Sequence, residues 1–170
     1  MKRIIIFSLC FCFLFLSACT DTEKAFPDDI SCEEILGALQ SADTPPESEK
    51  LYCSSSEVLD AFSMSLWADG LYAECEELTL LEDYAIFLGA GTDTYEVTVL
   101  KAKDEKDVSL LVDLIDRRKE TLANGDKGMY DVKFKTRMEN SRLEIDGKFV
   151  IFLLTDNNDA SWEAVQKLKK

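Results

Sequence analysis

The residue types able to do chemistry in this chain are few. Its 170 residues include no histidine, which removes the usual general base, the Ser-His and Cys-His nucleophile pairs, and most catalytic zinc sites. Carboxylates remain, and they are abundant. Paired acids can cleave glycosides, but among 33 Asp and Glu close pairs arise by chance. Glu74, Glu76 and Glu77 surround Cys75 without the one-three-five spacing and turn glycine of a calcium loop. They read as a solvated face. Asp156-Asn157-Asn158-Asp159 resembles fragments of such loops but lacks the glycine at position six and the glutamate at position twelve. A cap for a following helix explains it better. No catalytic set, metal set or cofactor is implied, and the expectation is a protein that is not an enzyme.

The cysteines are more informative. Cys19 follows Leu16-Ser17-Ala18, and this stretch ends an uncharged apolar run, Ile4–Leu16, preceded by the basic pair Lys2 and Arg3. That is the three-part pattern of a signal peptide. A membrane-spanning helix needs about 20 apolar residues, and thirteen fall short of that. Leu-Ser-Ala-Cys resembles the bacterial lipobox. The resemblance implies cleavage between Ala18 and Cys19 and a diacylglyceryl group on the Cys19 sulfur. Two acyl chains anchor stably where one is marginal, since each buried methylene contributes about 0.8 kcal/mol. Residues 1–18 are then a signal peptide. Residues 19–29, polar with Pro27 near the end, are the lipidated cysteine and a flexible tether.

What remains after residue 18 is 152 residues, a length that suits one domain with a sizeable core. Lys2 and Arg3 leave with the signal, so the balance becomes 17 basic against 33 acidic, a net charge of −16. Such a surface excludes nucleic acid as a partner and disfavours lying flat on an anionic bilayer. Cys10 and Cys12 also leave, and Cys19 carries lipid. Cys32, Cys53 and Cys75 remain. Three thiols allow at most one intramolecular disulfide, which an extracytoplasmic compartment permits. The pair is open, and buried free cysteines are an equal reading.

The elements follow from periodicity. Asp28 or Asp29 offers an N-cap for a helix near Ile30–Gln40, with Ile30, Ile35, Leu36 and Leu39 on one stripe and Cys32 beside it. Pro45-Pro46 mark a loop over Ser41–Lys50. Ser54-Ser55-Ser56 precedes a second helix whose apolar stripe is Val58, Leu59, Phe62, Leu66 and Trp67, ending at Gly70. Trp67 and Tyr72 either line a pocket or, more often for such spacing, lie in the core. Tyr84–Leu88 reads as a strand. Tyr95–Lys101 alternates, which predicts a strand with Glu96 and Thr98 on a wet face. Lys106–Ala123 is the strongest helix, with Val108, Leu111, Val112, Ile115 and Leu122 on one face, widened by Leu110 and Leu114. Arg117, Arg118 and Lys119 complement its macrodipole. Asn124–Gly128 turns the chain. Tyr130, Phe134 and Met138 recur every four residues and suggest a short helix within 129–140. Arg142–Ile145, Asp146-Gly147 and Lys148–Leu154 read as a hairpin with a tight primed turn, its second strand covered on both faces. A final helix over Ala160–Lys169 carries Trp162, Val165 and Leu168, with Lys167, Lys169 and Lys170 toward its C-terminal end.

The order of these parts is itself suggestive. Leu81-Glu82-Asp83-Tyr84-Ala85-Ile86 leads to Glu96-Val97-Thr98-Val99-Leu100-Lys101-Ala102-Lys103-Asp104. A long helix ending in Arg117-Arg118 follows, then Asp146-Gly147-Lys148-Phe149-Val150 and a C-terminal helix. Together with the lipobox, residues 80–168 resemble a family of uncharacterised Firmicutes lipoproteins of clostridial type that share a C-terminal domain of unknown function. The resemblance implies a location, the outer face of the cytoplasmic membrane, and brings no catalytic residues. Residues 20–80 lie outside it.

The expected fold is a single α+β domain over residues 30–170. A small antiparallel sheet of about four strands (near 84–88, 95–101, 142–146 and 148–155) packs with helices and follows an N-terminal helical segment. Leu111, Ile115, Val97, Val99, Ile151 and Leu153 are the expected core. The expected function is that of a lipid-anchored, non-enzymatic module that binds another envelope protein or serves as an accessory subunit. An exposed apolar or aromatic patch near Trp67 and Tyr72 would favour it. The alternative is an extracytoplasmic lipoprotein that binds a small ligand or cation.

Overall fold

The computed structural model describes residues 24–71, 73–125 and 130–170, with 48–50 as backbone only. Cys19, Ala18 and Tyr72 therefore lie outside the described residues, as do positions 126–129 of the expected turn and short helix. The described residues form helices α1 (Cys32–Gln40), α2 (Ala61–Asp69), α3 (Val108–Asn124), α4 (Phe134–Glu139) and α5 (Asn158–Gln166). They also form strands β1 (Ser48–Cys53), β2 (Leu81–Gly89), β3 (Glu96–Ala102), β4 (Arg142–Asp146) and β5 (Phe149–Leu154). The α+β class stands, with five strands in place of four.

The sheet order is β1-β2-β3-β5-β4, and every neighbouring pair is antiparallel. Two hairpins, β2–β3 and β4–β5, thus meet where β5 pairs with β3. The additional strand, β1, pairs with β2 at one edge. Its sequence reads as loop because Pro45-Pro46 precede it and only Leu51-Tyr52-Cys53 carry strand character. An edge strand needs one partner and little periodicity of its own.

Helices cover both faces of the sheet. On one, Tyr84, Ile86, Leu100, Val150, Phe152 and Leu154 pack with Met64 and Trp67 of α2 and with Leu111, Leu114 and Ile115 of α3. On the other, Ala85, Phe87, Val97, Val99, Ile151 and Leu153 pack with Ile35, Leu36 and Leu39 of α1 and Val165 of α5. The six residues expected in the core are fully buried, distributed between these two clusters. The wet face expected for Glu96 and Thr98 is not there. All seven residues of β3 are buried, because β3 lies between β2 and β5 with a helical layer on each side.

Local chemistry explains the element boundaries. Ser31, rather than Asp28 or Asp29, caps α1. Its hydroxyl accepts from the Glu34 N–H at 3.1 Å, while Glu34 Oε2 accepts from the Ser31 N–H at 3.2 Å, the reciprocal capping box. Asp60, not the serine run, caps α2 by accepting from the Ser63 N–H at 2.8 Å. Asn157 caps α5 by accepting from the Ala160 N–H at 3.2 Å, which settles Asp156–Asp159 as a helix start. In the β4–β5 turn, Asp146 pairs with Phe149, so Gly147-Lys148 is the loop. Positive φ falls on Gly147 alone, at 55°. That suits a turn with glycine at its first central position rather than an Asp-Gly pair.

The described residues ahead of α1 pack against the domain. The Lys170 N–H donates to the Ala25 carbonyl at 3.1 Å. Phe26 is buried edge-on against Phe149, with Lys169 Nζ 5.2 Å from its centroid. Lys101 Nζ donates to the Asp28 carbonyl and to Glu82 Oε1, both at 2.7 Å. Residues 25–28 are fastened to the α1–α5 layer.

Candidate functional site

Helix α2 is held at both ends and along one side. Leu59, just before the Asp60 cap, and Met64 lie together in the core, the arrangement of a hydrophobic staple. At the other end Gly70 takes φ 67° and donates to the Leu66 carbonyl at 3.0 Å, a left-handed stop open to glycine at little cost. Helix α3 supplies partners for two more terminal carbonyls. Arg118 Nη1 donates to Trp67 O at 3.0 Å and Thr121 Oγ1 to Ala68 O at 2.7 Å. Three of the last four orphan carbonyls are thereby satisfied.

The rotation of α2 about its axis is set by a polar pin in the core. Glu96 on β3 is 2% exposed. Its Oε1 accepts from the Trp67 indole N–H at 3.1 Å and from Thr98 Oγ1 at 3.0 Å. Its Oε2 accepts from Arg118 Nη2 at 2.7 Å and Nε at 3.0 Å. Next to it, Arg117 donates to Asp69 and Glu77, both at 2.8 Å. Arg117 and Arg118 are therefore tertiary ties, and the macrodipole reading does not account for them.

With Trp67 pinned inward, α2 buries Met64, Ser65, Trp67 and Ala68, and the expected single stripe divides. Leu59 and Trp67 go in, whereas Phe62 (51% exposed), Leu66 (40%), Val58 (69%) and Leu71 (63%) face solvent. Phe62 and Leu66 are four residues apart and share one side of the helix, with Val58 and Leu71 flanking its two ends. The pattern misleads because Val58 lies outside the helix and because Ser65 and Ala68, both weak hydrophobic signals, form the buried side with Met64 and Trp67.

A second polar cluster sits where α4 meets the loops before β3 and after β5. Arg137 is 3% exposed. Its Nη1 donates to Asp93 at 2.5 Å and Asp131 at 3.3 Å, and its Nε to Asp156 at 2.8 Å. Its guanidinium also lies 5.6 Å from the Tyr95 ring centroid. Burial alone would raise the Asp156 and Asp131 carboxyls. Hydrogen bonds from Arg137 and Lys133 to Asp156, and from Thr94 to Asp131, outweigh it and hold both below the usual range. Arg137 and Asp156 wall a hollow of about 470 Å³ with Lys133, Thr155 and Asn158. Lys133 pairs with Asp156 at 2.5 Å, and Asp159 with Arg142 at 2.8 Å. The charged walls answer one another.

The three cysteines are free and buried. Cys32 and Cys53 lie in the α1-side core and Cys75 in the α2-side core, so the sheet separates Cys75 from the other two. Burial, then the carboxylate of Asp83, pushes the Cys32 thiol up. Burial, then a 3.1 Å bond to Glu77, pushes Cys75 up to about 12. The acidic residues around Cys75 have separate roles: Glu77 binds Arg117, while Glu74 and Glu76 are exposed. Among the described residues no group of three His, Cys, Asp or Glu is placed to hold a metal ion, and no helix is long and apolar enough to cross a membrane.

Residues 77–155 match the family model described as a domain of unknown function, DUF4358. The match runs from the turn before β2 to the end of β5 and takes in Glu96, Arg117, Arg118 and Arg137. Helices α1 and α2 lie outside it. No curated protein matches the chain, and neither does any solved structure.

Proposed function

We propose that this chain is a lipid-anchored, non-enzymatic lipoprotein of a Firmicutes cell envelope that docks another envelope protein through the outer side of α2. One observation carries the reading. Val58, Phe62, Leu66 and Leu71 expose large apolar side chains in one short segment, and clustered apolar surface of this kind marks interaction sites. The rotation that exposes Phe62 and Leu66 follows from a fully satisfied buried network rather than from loose packing.

The anchor reading rests on Leu16-Ser17-Ala18-Cys19 behind the apolar run, and palmitate suits the acyl chains of the diacylglyceryl group on Cys19. Since Ala25 and Phe26 are fastened to the domain, the link from Cys19 to Lys24 spans at most about 18 Å. A short link of this kind concentrates the domain near membrane-borne partners. The polar hollow beside Arg137 favours a small ligand less, because its charges are paired internally.

Cross-linking on intact cells, with mass spectrometry of what comes off with the anchored protein, tests the reading. One protein should be recovered repeatedly and be lost with a Cys19→Ala control. Recovery of nothing specific would overturn it.

A further inference from the structure

We infer that the occupant of the α2 surface is a cationic amphipathic segment of a protein partner, an apolar strip flanked by Lys or Arg. This rests on the docking reading above and specifies the partner's chemistry. Between Lys50 and Lys101 the chain has no Lys or Arg and ten Asp and Glu, and α2 lies in the middle of that stretch. Glu57, Glu74 and Glu76, within a few residues of Val58 and Leu71 in the chain, are exposed. Among the described residues the cations bound to α2 come from α3, and both are engaged: Arg117 by Asp69 and Glu77, Arg118 by Glu96 and the Trp67 carbonyl. The surface is therefore apolar at its centre and anionic at its rim. Complementary potentials set partner choice and raise association rates, while like charges at a rim repel.

The same charge disfavours two other occupants. A second copy would bring an identical acidic rim to the interface. An anionic bilayer would meet the same repulsion, and the chain from the anchor joins the opposite layer, at Phe26 beneath Phe149 and Lys169. A partner with basic residues beside its apolar strip satisfies both parts of the surface.

The test uses the full chain carrying Cys19→Ala, so that no acyl chain interferes. Three labelled helical peptides are compared by fluorescence anisotropy: one of Leu and Lys, one with the same Leu strip and Glu in place of Lys, and one of Lys and Ser with no strip. The Leu–Lys peptide should bind about tenfold or more tighter than either other peptide, and Phe62→Ser with Leu66→Ser should remove about tenfold of that affinity. Equal binding of the Leu–Glu peptide, or unchanged binding in the double variant, would overturn the inference. So would adsorption to phosphatidylglycerol vesicles, or concentration-dependent dimerisation, that the double variant abolishes. If a protein cross-links at position 62 in cells through a segment without Lys or Arg, the docking reading stands and the cationic partner falls.

Discussion

Arg118 on α3 grips Glu96 on the central strand with two nitrogens on one carboxylate oxygen, at 2.7 and 3.0 Å. The other oxygen serves Trp67 of α2 and Thr98. One buried carboxylate thus ties a strand and two helices together, and all of its strong acceptor positions are used. Removing a single partner leaves a buried charge exposed to the low dielectric, which costs about 3–5 kcal/mol. Replacing both partners by apolar groups of similar volume removes the charge altogether.

Arg118→Met should therefore destabilise the protein by about 3–5 kcal/mol, read as a lower urea midpoint at unchanged slope. Glu96→Leu combined with Arg118→Met should cost less than the sum of the two single changes. Additive losses would mean that the pair does not act as a unit.

Acid should weaken the Arg137 cluster in a defined window. The Asp131 and Asp156 carboxyls are held below their ordinary value in the folded state. Their contribution is present above the unfolded carboxylate value of about 4 and is lost as pH falls from there through the lowered folded values. Stability measured from pH 6 to pH 2 should fall below about pH 4, and Arg137→Gln should flatten that fall while lowering stability at pH 7.

The thiols of Cys32, Cys53 and Cys75 should be slow to react. All three are buried, and those of Cys32 and Cys75 are pushed up by burial and neighbouring carboxylates, so little thiolate is available at pH 8. In a chain with Cys10, Cys12 and Cys19 all replaced by Ala, an aromatic disulfide reagent should titrate these three only after denaturant is added. Rapid native reaction at Cys75 would contradict the burial described here.

The α2 surface should be separable from the fold. Phe62→Ser and Leu66→Ser act on exposed positions, so together they should shift unfolding by no more than about 0.5 kcal/mol per site. An Asp60→Ala change, which removes the α2 cap, should instead cost about 1 kcal/mol. The melting temperatures of these variants give the comparison.

Much of the fold is legible in the residues, and the exceptions share a cause. The α3 stripe, the β4–β5 hairpin and the all-apolar β5 carry strong local periodicity. Strand β1 does not: an edge strand of six residues after two prolines leaves little pattern. Alternation in β3 correctly separates Val97 and Val99 from Glu96 and Thr98, yet polarity wrongly suggests water on the second side. Only the distant Arg118 and Trp67 explain how a glutamate lies buried there. The α2 surface was hidden for the same reason. Its five apolar residues read as a single core stripe, and it takes the Glu96–Trp67 bond to show which of them turn outward. The paired Arg117-Arg118 reads as helix-end cations, because the partners that make them tertiary ties, Asp69, Glu77 and Glu96, are distant in the chain.

The most direct test of the α2 docking surface places a photo-cross-linking amino acid at position 62 of the anchored protein in living cells. The same group at exposed Glu163 on α5, in the opposite layer, is the control. A discrete adduct with one envelope protein at position 62 and none at position 163 is the expected result. No adduct at 62, or the same adducts at both positions, would contradict the assignment of this surface.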